Sequence, residues 1–168
     1  MPKSDQGITT GRYTIVPRTL IFLTAGRQVL LIKGAPTKRL WANKYNGIGG
    51  HIERGEDALS AAKRELNEET GLDAVDLRLV GTVLIDAGEQ AGIGLFVFHG
   101  ELDKDESRLV SSPEGALEWV QYEQIPNDQM VEDLPVLLPK IFARNPTTAP
   151  FSARYYYDEN DRLQIRFG

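Results

Sequence analysis

The chain is expected to form a mixed β-sheet covered by helices, an α+β arrangement, and three observations carry that expectation. Short β-branched and apolar runs outnumber helical ones along all 168 residues. Only two segments have helical character, and they are interspersed with the strands rather than grouped apart from them. No linker or low-complexity stretch divides the chain, so residues 1–168 read as a single domain, with the polar segment 1–11 as a loose arm.

The elements follow in order. Thr14 to Thr24 is apolar and β-branched. Ala25-Gly26-Arg27-Gln28 turns it into Val29-Leu30-Leu31-Ile32, which predicts a hairpin. A charged loop from Gly34 to Lys44 leads to the glycine-dense run Tyr45 to Ile52, where backbone must approach something closely. Asp57 to Thr70 is the strong helix. Ala58, Ala62 and Leu66 form its buried stripe, acidic residues occupy its start, and Gly71-Leu72 is a stop signal. Leu77–Ile85 and Ile93–His99 read as strands around the turn at 86–92, and Leu117–Gln121 as a short strand. Glu132–Ala143 is a second helix with Pro135 in its first turn. Ala153–Tyr157 and Leu163–Phe167 close the chain as a hairpin around Asp158-Glu159-Asn160-Asp161.

Composition narrows the function. The apolar fraction of 41% and charged fraction of 26% are those of an ordinary globular protein. Cysteine is absent, which excludes disulfides and thiolate metal sites and fits a reducing compartment. The start lacks the apolar core of a signal peptide and no apolar run could cross a bilayer, so a cytoplasmic protein without a membrane partner is expected. A net charge of −5 argues against polymeric nucleic acid as partner. A small anionic substrate fits, since a divalent cation reverses the local field. The cations Arg27, Lys33, Lys38, Arg39 and Lys44 are concentrated upstream of the acidic helix. The sequence says nothing of oligomeric state.

The chemistry concentrates in the main helix. Glu65, Glu68 and Glu69 stand at i, i+3 and i+4, on one face, where like charges repel unless a cation neutralises them. Carboxylate oxygens suit Mg²⁺ or Mn²⁺ rather than zinc. Glu56 adds a carboxylate at the helix start, and Arg64 is placed to pair with one of them and orient it.

The full spacing is Gly50, five residues, Glu56, seven residues, Arg64-Glu65-Leu66, one residue, Glu68-Glu69, one residue, Gly71-Leu72. This run resembles the signature box of the Nudix hydrolases without a departure. The resemblance implies the Nudix fold, with a mixed sheet sandwiched between helices (α/β/α), and metal-dependent cleavage of a nucleoside diphosphate linkage. It further implies metal ligation by Glu65, Glu68, Glu69 and the Gly49 carbonyl. Glu65 would activate water, with Arg64 and Glu68 beside it as catalytic residues.

Outside the box the chain is similar to the MutT-like, oxidised-purine nucleoside triphosphatase branch. The similarity lies in Tyr45-Asn46-Gly47-Ile48-Gly49-Gly50, Ser112-Pro113-Glu114, the stretch Trp119 to Pro126 and the closing hairpin. By that resemblance the substrate is a nucleoside triphosphate, cleaved to monophosphate and pyrophosphate. Glu114 would be a further metal ligand. Tyr45, Asn46, Lys33, Glu132 and Asp133 would contact the nucleotide. Val131 stands where human-type relatives carry a base-stacking tryptophan, and Tyr45 replaces another family tryptophan. A nucleotide sugar or dinucleoside polyphosphate substrate, and a non-catalytic nucleotide-binding Nudix module, stay open beside this reading. Trp119 is expected in the strand core, and His51 and His99 are expected to be structural.

Overall fold

The computed structural model describes residues 2, 6–7, 11–103, 109–110, 113–145 and 147–168. Most of the expected arm, and Ser112 of the post-box motif, lie outside them. Eight strands and two α-helices follow one another as β1 (Thr14–Ala25), β2 (Gln28–Gly34), β3 (Tyr45–Asn46), α1 (Ala58–Thr70), β4 (Arg78–Ile85), β5 (Ala91–Glu101), β6 (Gly115–Val120), α2 (Leu134–Phe142), β7 (Phe151–Tyr157) and β8 (Leu163–Phe167). Each expected strand and helix is present. Two 3₁₀ turns, Tyr122–Gln124 and Asn127–Gln129, were not anticipated.

The strands join in one sheet in the order β3-β2-β1-β5-β4-β7-β8, with β6 paired to β2. The β1–β2, β4–β5 and β7–β8 pairs are the expected antiparallel hairpins. The β1–β5 and β4–β7 pairs are parallel, so the sheet is mixed. Period-2 alternation sends side chains to two separate cores. Leu20, Phe22, Leu31 and Val97 face a core filled by Leu134, Leu137, Leu138 and Ile141 of α2. Ile21, Leu23, Leu30 and Phe98 face a second core containing Ala62 and Leu66 of α1. The two helices therefore cover opposite faces, as expected. Trp119 packs at the margin of the α1 core, and His99 pairs with Thr24 (2.8 Å), both structural as expected.

α1 is closed at both ends by local chemistry. The Asp57 carboxylate accepts from the Leu59 and Ser60 N–H groups (2.9 and 3.0 Å), satisfying donors that the first turn leaves open. Gly71 N–H bonds to the Asn67 carbonyl at 2.8 Å. The buried residues are Ala61, Ala62, Leu66 and Thr70, with Ala58 of the expected stripe only partly buried; Glu65 and Glu69 are half-buried and Glu68 is exposed. Among the described residues no helix is long and apolar enough to cross a membrane.

Candidate active site

The glycine-dense run lies antiparallel along the middle of β1 and forms a floor. Thr19 N–H donates to the Gly50 carbonyl (2.9 Å), Ile21 N–H to that of Ile48 (2.7 Å), and Ile52 N–H to that of Pro17 (3.1 Å). Gly49 has φ 144°, and a Cβ there would stand 2.3 Å from the Thr19 carbonyl oxygen. At Gly50 a Cβ would fall 2.5 Å from the Glu65 carboxylate, so the missing side chain is the space in which that carboxylate sits. Gly50 is thus required by the acidic helix beside it, and Gly49 by the close approach of β1.

Arg64 organises the acids. Its Nε and Nη2 hold Glu56 in a bidentate grip (2.7 and 3.0 Å), and Nη1 donates to Glu65 (2.8 Å) and Glu68 (3.1 Å). Nη2 also reaches the His51 carbonyl at 3.0 Å, tying the loop to the helix. The guanidinium hydrogen bonds, with help from the Glu53 N–H, hold Glu56 down to a pKa of about 2. Those carboxylates in turn push the Arg64 pKa up. Glu56 is therefore Arg64's fixed counter-ion rather than one more open ligand.

Glu69 takes the opposite course. Burial pushes its pKa up to about 7, and Glu65 and Glu114 add to the rise; the Gly49 N–H (3.2 Å) and Lys38 hold it partly down. Glu65 and Glu69 line a cavity of about 890 Å³, a volume in the range of small-molecule sites. Glu68 does not line it: it is drawn to Arg64, i,i+4 on the same helix, and its side chain is 57% exposed. Of the three glutamates expected on one face, Glu65 and Glu69 therefore meet at the cavity, and Glu68 is turned to Arg64. Among the described residues no three acidic or histidine side chains form a ready-made metal cage. Gly49 lies on the cavity wall, and Glu114, paired with Lys38, also reaches it from the loop before β6.

The same cavity extends to the α2 side. Asn46, Val131, Glu132 and Asp133 line it together with Ile85, Leu95, Tyr155 and Leu163. The Asn46 Oδ1 accepts the Gly47 N–H (2.8 Å), which leaves its amide N–H₂ as the group offered to a ligand. Asp133 precedes α2 without its side chain capping the helix. Burial raises its pKa to about 6, and Glu132 pushes the same way while Tyr155 and its own backbone oppose. Burial and Asp133 likewise raise the Tyr155 pKa, and the Tyr155 hydroxyl has no well-formed hydrogen bond among the described residues.

Two residues expected as nucleotide contacts do not line this cavity. Tyr45 is 7% exposed in the α2 core, its hydroxyl donating to Glu118 at 2.6 Å; burial, then Glu118, raises its pKa to about 12. Lys33 lies over the Tyr45 ring (5.0 Å), also off the cavity. Adjacent residues on a strand face opposite ways, so Tyr45 turns inward where Asn46 turns to the cavity. Of the anticipated cations, Lys38, Arg39 and Lys44 line the cavity, whereas Arg27 pairs with Glu123 at 3.2 Å. His51, expected to be incidental, is at the cavity wall. Sequence reading missed Arg18, Leu40 and Trp41, all cavity residues. Trp41 is 51% exposed with φ 58°, a left-handed backbone that a bulky residue rarely adopts, and only the indole itself hinted at it.

An acidic helix, a glycine floor pressed against it and a mixed sheet between two helices define a class, and the chain belongs to it: the NUDIX domain family, whose model matches residues 14–141. It is a Nudix pyrophosphohydrolase of the MutT-like kind, and enzymes of this family use divalent metal ions. The oxidized purine nucleoside triphosphate hydrolases of Danio rerio and Mus musculus are each 32% identical to it over 127 residues, covering 73% of this chain and 79% of theirs. The crystal structure of a MutT protein from Bacillus halodurans shares the fold with a TM-score of 0.70 and 24% identity, covering 91% of this chain and 97% of that one.

Proposed function

We propose that the enzyme hydrolyses a nucleoside triphosphate to the monophosphate and pyrophosphate with Mg²⁺ or Mn²⁺, oxidised purine nucleotides being the first candidates. The observation that carries this reading is the continuity of one cavity from the carboxylates of α1 to Asn46 and Asp133. A nucleotide needs both ends at once, acidic metal-bearing chemistry for its phosphates and polar edges for its base. The names of the zebrafish and mouse relatives support the choice of substrate. The absence of cysteine fits work on small nucleotides in the cytoplasm.

The donor set fits a hard divalent cation. Glu69 is held near neutrality by burial and by two neighbouring carboxylates, which is the electrostatic deficit that such an ion relieves. Glu65, Glu69, Glu114 and the Gly49 carbonyl would hold it, and Glu68 would join on leaving Arg64. When bound, the ion supplies a water made acidic enough to attack near neutral pH and neutralises phosphate oxygens. Glu65, its Oε1 fixed by Arg64, would accept the proton of an attacking water. Arg64 holds the helix acids in register with the His51 loop. Lys38, Arg39 and Lys44 supply positive charge to the phosphate end. Asn46, Glu132 and Asp133 offer hydrogen bonds to the base, with Tyr155, Leu163 and Leu95 as its apolar surround.

The test is pyrophosphate release from normal and oxidised nucleoside triphosphates with Mg²⁺, beside a nucleotide sugar and a dinucleoside polyphosphate. Pyrophosphate release by the wild type, lost in Glu65→Gln and on chelation, is the expected result. Turnover of the other diphosphates alone would discard the substrate class.

A further inference from the structure

Arg18 is a cation of this cavity whose Nε has no hydrogen-bond partner among the described residues. It lies on β1, where alternation places it on the face of Leu20 and Phe22, toward α2. Leu95 is its direct neighbour on β5, and an antiparallel bridge joins it to His51 on the other side. The residue thus stands between the apolar wall that contains Leu95 and the Gly50–His51 corner in which Glu65 sits. Its side chain is half-buried, and Nε is buried with no hydrogen-bond partner.

The chemistry of its neighbours makes that solitude informative. Glu53, Glu65 and Glu69 line the same cavity, yet among the described residues Arg18 forms no ion pair with any of them. Arg27, Arg64, Arg78 and Arg154 each engage a carboxylate, and Arg39 of the cavity, which engages none among the described residues, is exposed, whereas Arg18 keeps a buried N–H without a partner. A half-buried guanidinium with an orphaned N–H loses solvation without local compensation, so its retention needs a ligand-side account. The planar fork of donors matches the oxygens of a phosphate.

We propose that Arg18 binds the phosphate chain of the substrate, taking non-bridging oxygens where the chain passes from the base end of the cavity to the carboxylates of α1. This rests on the nucleoside triphosphate reading above. Arg18 acts there as a binding residue: it neutralises phosphate charge on the side of the chain away from Glu65 and Glu69.

The experiment measures calorimetric binding of inorganic tripolyphosphate with Mg²⁺ to the wild type, Arg18→Lys and Arg18→Met, together with urea unfolding of each. The wild type is expected to bind, Arg18→Met to bind about tenfold or more weakly, and Arg18→Lys to fall between, as loss of a charged hydrogen bond implies. Arg18→Met is expected to be at least as stable as the wild type, since it removes an unpartnered charge. Equal binding by Arg18→Met, or a wild type that binds no tripolyphosphate, would overturn the assignment. Lost stability with unchanged binding would overturn it too, by showing a structural role. Arg18-dependent binding in a protein that hydrolyses no triphosphate would instead reject the proposed substrate and leave this assignment standing.

Discussion

Replacing Asp133 by asparagine isolates one buried charge at the end of the cavity remote from α1. Burial lifts the Asp133 pKa from 3.8 to about 6. Between those values the folded chain keeps a proton that the unfolded chain has lost, so stability falls as pH rises. The carboxyl's contribution is whole below the unfolded value and is gone above the folded one. At about 1.4 kcal/mol per pH unit, the interval from 3.8 to about 6 corresponds to about 3 kcal/mol. The substituted amide cannot ionise, so Asp133→Asn is expected to match the wild type near pH 4 and exceed it by up to about 3 kcal/mol at pH 8. Effects of Glu56 and other acids occur in both proteins and cancel in the difference. Urea unfolding followed by circular dichroism across that range gives the curve, provided the denaturant slopes agree. A difference between the two proteins that does not change with pH would refute the argument.

Two further substitutions test the site's geometry. Gly50→Ala places a methyl where the Glu65 carboxylate lies, at 2.5 Å; the flexible carboxylate would be displaced, and kcat is expected to fall about 100-fold or more while the far-UV spectrum is unchanged. Wild-type kcat in this variant would show that Glu65 need not occupy that space. Tyr45→Phe removes the donor to Glu118 inside the α2 core; a stability loss of about 1 kcal/mol is expected, with KM for the preferred triphosphate unchanged. A clear rise in KM would return Tyr45 to the substrate contacts.

The box was readable because its residues act locally. Asp57 caps within three residues, and Arg64 grips Glu65 beside it, Glu68 one turn on and Glu56 eight residues back, so linear spacing encodes their contacts. The three hairpins were equally legible, since short turns join strands adjacent in the chain. The parallel pairings of β1 with β5 and β4 with β7 were not. Apolar strands pair with any similar strand, and nothing in Ile93 to His99 names β1 as its neighbour. The site residues whose placement was not legible share that origin. Tyr45 and Asn46 adjoin in sequence but face different surroundings. Glu68 belongs to the acidic trio by spacing, yet Arg64 competes for it. Arg18 and Trp41 carry no motif, and only the assembled sheet and loop bring them to the cavity.

Arg64's simultaneous hold on Glu56, Glu65, Glu68 and the His51 carbonyl has a thermodynamic consequence. The polypeptide contains its own counter-ion for the acidic helix, so folding does not wait for a cation. The enzyme is therefore expected to fold without metal and to take it up afterwards. It differs in kind from small metal-folded modules, in which the ion's binding energy is the folding energy. Chelation should therefore silence this protein without melting it, and cycles of metal loss and return leave its architecture in place.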